Sequence, residues 1–167
     1  MGTCSSDVRL ESAVMSDVDR LVELWVALAR DQRAYDSHLE PAANRGPVRE
    51  TIARHIVVDG VTVARSTDEI VGFAMVGLEH GDYEQSVTRG VVNNIFVLPE
   101  WRGRGIGGRL LDAAEVALAD AGADVFSLET MATNARARRF YEREGYRPHR
   151  VELEKSAQND THSKEDG

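Results

Sequence analysis

The chain has 167 residues, of which 42% are hydrophobic and 29% charged, and its formal net charge at pH 7 is −8. This length and composition indicate one globular domain, because a single core can grow to about 250 residues. The negative charge argues against nucleic acid as the main partner, since phosphate binding needs a basic face. No apolar run approaches the roughly 20 residues of a membrane span, and no secretory signal opens the chain, so we expect a cytoplasmic protein without a membrane partner.

Metal and disulfide chemistry are not indicated by the sequence. Cys4 is the only cysteine, and the five histidines show no spacing typical of a metal site. The sequence therefore predicts no internal disulfide and no bound metal.

Hydrophobic patterning predicts one domain over residues 8–155, between a loose N-terminus at 1–7 and a flexible polar tail at 156–167. A helix is predicted to open at Ser16, where Asp19 completes a capping box ahead of an apolar stripe. The other elements predicted in the first half are the strands Val8–Ala13, Val61–Ala64 and Ile70–Gly77, and a second helix from Pro47.

The second half has the stronger patterns. An apolar stripe from Ile106 to Leu118 predicts a helix that Gly122 ends. The other elements predicted here are the strands Thr88–Leu98, Val125–Thr130 and Tyr146–Leu153, and a helix capped by Asn134 and ended by Gly145. The order of elements predicts an α/β (α+β) fold, in which helices pack on the faces of a sheet.

The segment from Arg102 to Gly108 has the features of an anion site. Its glycines let backbone N–H groups approach a ligand closely, and the helix start that follows offers unpaired donors and a positive dipole end. Arg102 and Arg104 add two cations, so the segment predicts a pyrophosphate site. One alternative is a flexible turn with solvated arginines. Another is a G-x-G-x-x-G dinucleotide turn at 103–108, although four residues separate it from the strand, unlike a dinucleotide fold.

Two motifs in this half resemble those of the GCN5-related N-acetyltransferase superfamily. Residues 102–107 (RGRGIG) are similar to its R/Q-x-x-G-x-G/A motif. Residues 128–146 (LETMATNARARRFYEREGY) are similar to its L-x-x-x-x-x-N-x-x-A-x-x-F-Y-x-x-x-G-F/Y block. The resemblance implies a mixed, mostly antiparallel sheet of six to seven strands with about four helices on its faces, splayed between the fourth and fifth strands.

The resemblance also implies a site for acetyl-coenzyme A. The pantetheine arm would lie between the strands at 93–98 and 125–130, where it would bond to the backbone of Ile95, Phe96 and Val97. The residues implied to hold the pyrophosphate are Arg102, Gly103, Arg104, Gly105, Ile106, Gly107 and Gly108.

Asn134 and Tyr141 lie seven residues apart, which is two helical turns, so both side chains can point toward the cofactor. The resemblance makes Tyr141 the general acid that protonates the departing coenzyme A thiolate. The alternative is that Tyr141 is a core aromatic beside Phe140.

At the position where many members of the superfamily carry the general base, this sequence differs from the superfamily's pattern. Many members carry a glutamate near the position of Asn93, whereas this chain has Asn93 and Asn94, and neither amide can act as a base. Glu129, twelve residues before Tyr141, is the first substitute, and a structural strand carboxylate is its alternative. A second candidate set, with a solvated loop as its alternative, lies in the loop before the long strand and consists of Glu79, His80, Asp82, Tyr83 and Glu84.

Acceptor contacts are expected from the parts of the chain that resemble the superfamily least, namely the first two helices and the loop at 79–85. The amides of Asn93 and Asn94 can hold the acceptor or a water, and Glu79 and Tyr83 are further candidates. The first helices also offer Trp25, Tyr35 and His38, although core packing is the simpler role for Trp25.

The predicted function is transfer of an acetyl group from acetyl-coenzyme A to a primary amine by direct attack. The amine can belong to a small molecule or to a peptide. A homodimer is compatible with the resemblance. The alternative is a non-catalytic acyl-coenzyme A-binding sensor on the same fold.

Overall fold

A computed structural model of the protein describes residues 7–158. Most of the two predicted terminal segments, residues 1–6 and 159–167, lies outside this range. The strands are β1 (Val8–Ser12), β2 (Val61–Ser66), β3 (Glu69–Leu78), β4 (Arg89–Val97) and β5 (Val125–Leu128). The helices are α1 (Val18–Arg33), α2 (Arg45–Val57), α3 (Ile106–Asp120) and α4 (Ala135–Arg143).

The strands form a sheet in the order β1-β2-β3-β4-β5. The first three pairings are antiparallel and the β4–β5 pairing is parallel. A parallel pair needs a crossover connection, and α3 supplies it. The mixed, mostly antiparallel sheet with four helices is confirmed.

The predicted count of six to seven strands is wrong, because the sheet of residues 7–158 has five. The missing element is the predicted last strand, Tyr146–Leu153, which has no regular structure. Its apolar side chains are exposed, Val151 by 77% and Leu153 by 89%. Pro148 lacks the N–H that a sheet ladder needs, which disfavours pairing along this segment.

The sheet separates two apolar clusters. On one face, α1 and α2 cover the side chains of Phe73, Met75 and Phe96. On the other face, α3 covers Val71, Ala74 and Val92. The helical side chains that are most deeply buried in these clusters are Leu21, Leu24, Val26, Ile52, Leu110, Leu111 and Leu118.

Helix α1 begins two residues later than the predicted cap, so the capping box at Ser16 is wrong. A short 3-10 turn, Met15–Asp17, precedes the helix. The carboxylate of Asp17 accepts a hydrogen bond from the backbone N–H of Val14 at 3.0 Å and from Arg65 of β2 at 3.1 Å. Asp17 precedes the first residue of α1, and its carboxylate is bound to these two donors and makes no cap hydrogen bond to the helix.

The predicted splay between the fourth and fifth strands is confirmed. Strand β5 pairs with β4 only from Arg89 to Val92. Beyond that point β4 continues along β3 alone. In the β3–β4 register Met75 pairs with Asn94 and Val76 pairs with Val92, so Asn93 is an extra, bulged residue. A bulge bends its strand and increases the local twist, and this bulge lies where β5 and β4 separate.

Candidate active site

A glycine turn follows the free end of β4. Pro99–Trp101 forms a short 3-10 turn, and Gly103 and Gly105 then adopt positive φ angles of 76° and 79° before α3 begins. A Cβ built on Gly103, Gly105 or Gly108 would meet no atom within 4 Å. The N-terminus of α3 and the backbone of this turn therefore face open space, as an anion site with backbone donors requires.

The two arginines of the turn have different surroundings. Arg102 donates from Nε to the carbonyl oxygen of Val97 at 2.9 Å, and its guanidinium lies 5.5 Å from the centre of the Phe96 ring. Its Nη2 is also 3.3 Å from Oδ2 of Asp31 in α1. Arg102 thus connects the turn to β4 and α1.

Arg104 has fewer protein contacts. Its guanidinium stacks over the ring of Trp101 at 4.7 Å and donates to the carbonyl oxygen of Glu100 at 3.3 Å. The residue is exposed. Of the two cations, Arg104 has the more accessible charge for an anion at the turn.

Helix α4 is capped as the sequence predicted. Oδ1 of Asn134 accepts from the backbone N–H of Ala137 at 3.1 Å, the usual N-cap contact. This bond uses only the oxygen of the amide, so Nδ2 of Asn134 remains a donor with no hydrogen bond to the described residues.

Tyr141 of α4 packs against the apolar cluster on the α3 face of the sheet, with the rings of Phe140 and Tyr146 at 5.2 and 6.0 Å between centres. Burial raises the pKa of the Tyr141 phenol to about 12. The phenol is therefore protonated at neutral pH and can act only as a proton or hydrogen-bond donor to a developing anion.

A second polar pair lies behind Tyr141. The hydroxyl of Tyr146 and Oε2 of Glu115 are buried and have no hydrogen-bond partner among residues 7–158. Burial raises the pKa of Glu115, and the nearby Asp112 and Glu144 add to that rise. Burial and the Glu115 carboxylate raise the pKa of Tyr146 as well. Both pKa values are thus shifted toward the neutral form of the group.

On the opposite face of the sheet, α1 and α2 leave a cavity of about 310 Å³ against β3 and β4. Small-molecule sites have volumes from about 300 Å³ upward. The bulge turns both Asn93 and Asn94 toward this cavity. The residues that line it are Trp25, Leu39, Asn44, Pro47, Val48, Thr51, His55, Met75, Asn93 and Asn94.

His55 is a cavity residue that the sequence analysis did not single out. Its Nδ1 lies 2.7 Å from the carbonyl oxygen of Thr51, one helical turn earlier. Its Nε2 and Oδ1 of Asn93 each lie 3.6 Å from the point that a Cβ on Gly77 would occupy. One sequence feature could have identified it. His55 follows Thr51 by one helical turn in a helix whose Val48 and Ile52 are buried.

The remaining predicted residues lie outside the cavity lining. Glu129 is exposed immediately after β5. Glu79 forms an ion pair with Arg89, with 3.1 Å between Oε2 and Nε, and Tyr83 is 87% exposed. Trp25 both packs on the core and lines the cavity.

The other two residues offered by the first helices are also outside the lining. His38 pairs with Glu154 at 2.9 Å, which raises the pKa of His38. The carbonyl oxygen of Tyr35 accepts from the hydroxyl of Thr133 at 3.3 Å. These contacts connect the end of α1 to the segment before α4 and to the chain after it.

Two further findings apply to the whole part of the chain that the structure describes. Along residues 7–158, no helix combines the length and the hydropathy that crossing a bilayer requires. Within the same residues, no three His, Cys, Asp or Glu side chains are grouped as a metal site would need.

A β4–β5 splay, a glycine turn at the start of α3 and a tyrosine in α4 define an acyltransferase fold. Residues 21–146 match the model of the Acetyltransferase (GNAT) family. Because the match covers most of the chain, the protein belongs to this family, and the predicted superfamily is confirmed.

Known relatives support the same family. An uncharacterized N-acetyltransferase of Archaeoglobus fulgidus is 39% identical over 83 residues, which are 50% of this chain and 56% of that protein. YhfO of Bacillus subtilis, also an uncharacterized N-acetyltransferase, is 33% identical over 86 residues, 52% of this chain and 57% of its own. The chain thus spans little more than half the length of these two relatives. An aminoalkylphosphonate N-acetyltransferase of Salmonella typhimurium is 28% identical over 140 residues, 83% of this chain and 84% of that one.

Solved structures share the fold. A GCN5-related N-acetyltransferase from Ralstonia eutropha JMP134 superimposes with a TM-score of 0.71 at 19% identity, over 90% of this chain and 99% of that one. The aminoglycoside N-acetyltransferase AAC(6')-Iy, solved in complex with CoA, superimposes with a TM-score of 0.67 at 15% identity, over 90% and 95% of the two chains. These similarities are of fold.

Proposed function

We propose that the protein is an N-acetyltransferase that moves an acetyl group from acetyl-coenzyme A to a primary amine by direct attack. The observation that carries the proposal is the gap between β4 and β5 beyond Val92. The glycine turn follows the free end of β4, and Tyr141 packs against the apolar cluster on the α3 face of the same sheet. The gap thus joins an anion site to a proton donor.

The residues present fit coenzyme A. Backbone groups along an antiparallel strand face alternate sides, and Leu98 bonds to Val71 of β3, so Phe96 also faces β3. Ile95 and Val97 face the open side, where they can bond to a ligand as a neighbouring strand would. The carbonyl of Val97 is already used by Arg102, so Val97 contributes its remaining backbone group. Asn134 offers its free Nδ2 at the start of α4.

The pyrophosphate part of the site has three components. The backbone amides from Gly103 to Gly108 and the dipole of α3 supply most of the donors. Arg104 supplies an accessible charge. Arg102 holds the turn against β4 and α1, and in this proposal it acts on the pyrophosphate mainly by fixing the turn. Acetyl-coenzyme A, when bound, supplies the activated acetyl thioester.

Tyr141 is proposed to give its proton to the departing sulfur. A phenol whose pKa is raised to about 12 by burial keeps its proton at neutral pH. The burial that disfavours a phenolate also disfavours a thiolate at the same place. A hydrogen bond or proton from Tyr141 therefore stabilises the departing sulfur, and a phenolate formed by the transfer regains its proton from solvent.

The acceptor is proposed to enter from the cavity on the α1–α2 face. Its lining of described residues contains amides, a hydroxyl, an imidazole and apolar side chains, but no lysine or arginine. Such a lining suits a small amine that is neutral or cationic apart from the reacting nitrogen. It does not favour an anionic group such as the phosphonate that the name of the Salmonella relative implies. Asn93 and Asn94 are the proposed hydrogen-bonding groups for this amine, while Glu79 and Tyr83 are proposed only for the outer approach.

Thiol release from acetyl-coenzyme A across a panel of primary amines tests the proposal. We expect turnover with at least one small amine, and a loss of roughly 100-fold or more in Tyr141→Phe with unchanged affinity for coenzyme A. Affinity is measured separately by calorimetry. Tight binding of coenzyme A with no turnover over a broad panel would favour the sensor function instead.

A further inference from the structure

We propose that His55 is the general base that takes the proton from the acceptor amine. This inference rests on the proposed acetyltransferase function and assigns a residue to the step that the two asparagines of β4 leave without a base. It differs from the sequence prediction, which placed Glu129 in this role.

The contact with Thr51 fixes which ring nitrogen of His55 is available. A backbone carbonyl can only accept, so the 2.7 Å contact makes Nδ1 the protonated nitrogen. In the neutral ring Nε2 then carries the free lone pair. The same N–H to carbonyl bond persists when Nε2 gains a proton, so the ring keeps its orientation through the transfer.

His55 and Asn93 both line the acceptor cavity. Nε2 of His55 and Oδ1 of Asn93 approach the same point beside Gly77, each at 3.6 Å. That point is one bond length from the Cα of Gly77 and holds no ligand atom itself, but the missing side chain leaves the space beyond it, between the two polar groups, open. An amine there would meet a hydrogen-bond acceptor from the bulge on one side and a proton acceptor from α2 on the other.

No other described residue that lines the cavity has a side chain that could act as the general base. Of the ten described residues in the lining, His55 is the one with a titratable side chain. The nearest described cation on its own helix, Arg54, donates to the hydroxyl of Thr51 at 3.3 Å. Glu129 is exposed beyond the end of β5 and is not part of the lining.

The base and the acid lie on opposite faces of the sheet. His55 belongs to the α1–α2 face, whereas Tyr141 packs in the cluster on the α3 face. The strand between them is β4, at the place where β5 has separated from it. An amine can thus lose its proton on one face while the leaving sulfur gains a proton from the other.

The proton balance follows from these positions. The ammonium nitrogen loses two protons as its bond to the acetyl carbon forms and the carbon–sulfur bond breaks. The first goes to Nε2 of His55 before attack and then to solvent. The second is taken up by the same nitrogen and returns through solvent to Tyr141, which has given its phenolic proton to sulfur. Both residues end as they began.

The test compares acceptors that differ in basicity. An alkylamine arrives as ammonium and needs the base before it can attack, whereas hydroxylamine arrives as the free base at neutral pH. We expect His55→Ala to lower kcat/KM by roughly 100- to 10,000-fold with the best alkylamine and by far less with hydroxylamine. Coenzyme A affinity should be unchanged. Added imidazole should restore part of the rate, after subtraction of the rate measured without enzyme.

Matched variants separate the inference from simple structural damage. His149→Ala removes an exposed histidine outside the cavity and should leave all rates unchanged. His55→Gln keeps the side-chain volume and should fail like His55→Ala while remaining folded by circular dichroism. Equal losses with both acceptors, no loss at all, or the expected pattern in Glu129→Gln instead would overturn the assignment to His55. A wild-type protein that neither binds coenzyme A nor acetylates any amine would overturn the proposed function itself.

Discussion

Arg102 in the glycine turn forms an ion pair with Asp31 near the end of α1, with 3.3 Å between Nη2 and Oδ2. The same guanidinium donates to the carbonyl of Val97. Through these bonds one side chain holds together the glycine turn, the free end of β4 and the helix that forms a wall of the cavity.

Arg102 and Arg104 should therefore respond differently to removal. We expect Arg102→Ala to lower the free energy of unfolding by about 1–3 kcal/mol, because a charged hydrogen bond to a part-buried carbonyl is lost, and to weaken coenzyme A binding. Arg104→Ala should weaken binding with little change in stability, because surface contacts contribute little. Urea titration and calorimetry of the two variants provide the comparison. Equal stability losses would contradict it.

Gly105 can be tested against a glycine of equal backbone strain. Gly105 and Gly122 both have positive φ angles, 79° and 101°, and a Cβ on either would meet no atom within 4 Å. Each substitution to glutamate should cost about 1 kcal/mol in stability. We expect Gly105→Glu to weaken coenzyme A binding at least 100-fold by charge and steric conflict, and Gly122→Glu to bind normally. Similar affinities in the two variants would show that the turn does not hold the pyrophosphate.

The buried phenol of Tyr141 makes the free energy of unfolding depend on pH in the alkaline range. Its pKa is raised from 10.0 to about 12 in the folded protein. The unfolded chain thus releases this proton first as the pH rises, so the stability contribution is complete below pH 10 and is lost between pH 10 and about 12. Tyr141→Phe should flatten this part of the stability curve, measured by urea unfolding at several pH values. An unchanged slope would contradict the burial of the phenol.

The pair formed by Glu115 and Tyr146 predicts a stabilising substitution. Burial raises the pKa of Glu115 in the folded protein. At a pH above the ordinary pKa of a carboxyl group, the charged carboxylate therefore destabilises the folded state, and the free energy of unfolding falls as the pH rises. Glu115→Gln removes that charge and keeps the shape of the side chain. We expect a higher Tm at pH 7 and a smaller gain near pH 4. A gain that is larger at pH 4 would contradict this account.

Gly77 controls the space between His55 and Asn93. A Cβ at this position would make ordinary contacts of 3.6 Å with both side chains, so Gly77→Ala should fold and retain activity. Gly77→Leu should fill the proposed amine position and raise the KM for the amine without changing the affinity for coenzyme A. Steady-state kinetics on the two variants measure the difference, and an unchanged KM in Gly77→Leu would place the acceptor elsewhere.

The second half of the chain was the more predictable from sequence, because its signals are local. The glycine turn, the Asn134 cap and the stripe of α3 depend on neighbours within a few residues. The strand predicted at Tyr146–Leu153 failed because alternation alone does not show whether a partner strand exists. Pairing is a long-range property, and the exposed Val151 and Leu153 have none.

The acceptor side depended on contacts that no local pattern contains. His55 and Asn93 approach the same point beside Gly77 only because α2 packs on β3 and because a bulge reorients β4. A bulged residue cannot be recognised from the alternation of side chains in its own strand, because the bulge is defined by the pairing with the neighbouring strand. Glu79 illustrates the reverse case, since its charge suggested ligand binding while its partner in the fold is Arg89.

The two faces of the sheet draw on separate stretches of the chain. The cavity is lined largely by side chains of α1, α2 and the connection between them, whereas the turn, the cap and the phenol come from residues after β4. Selection can therefore alter the N-terminal third to admit a new amine while the C-terminal half continues to hold the same acyl donor. Diversification of substrates in proteins built this way should appear as sequence divergence before residue 60 and restraint after residue 95.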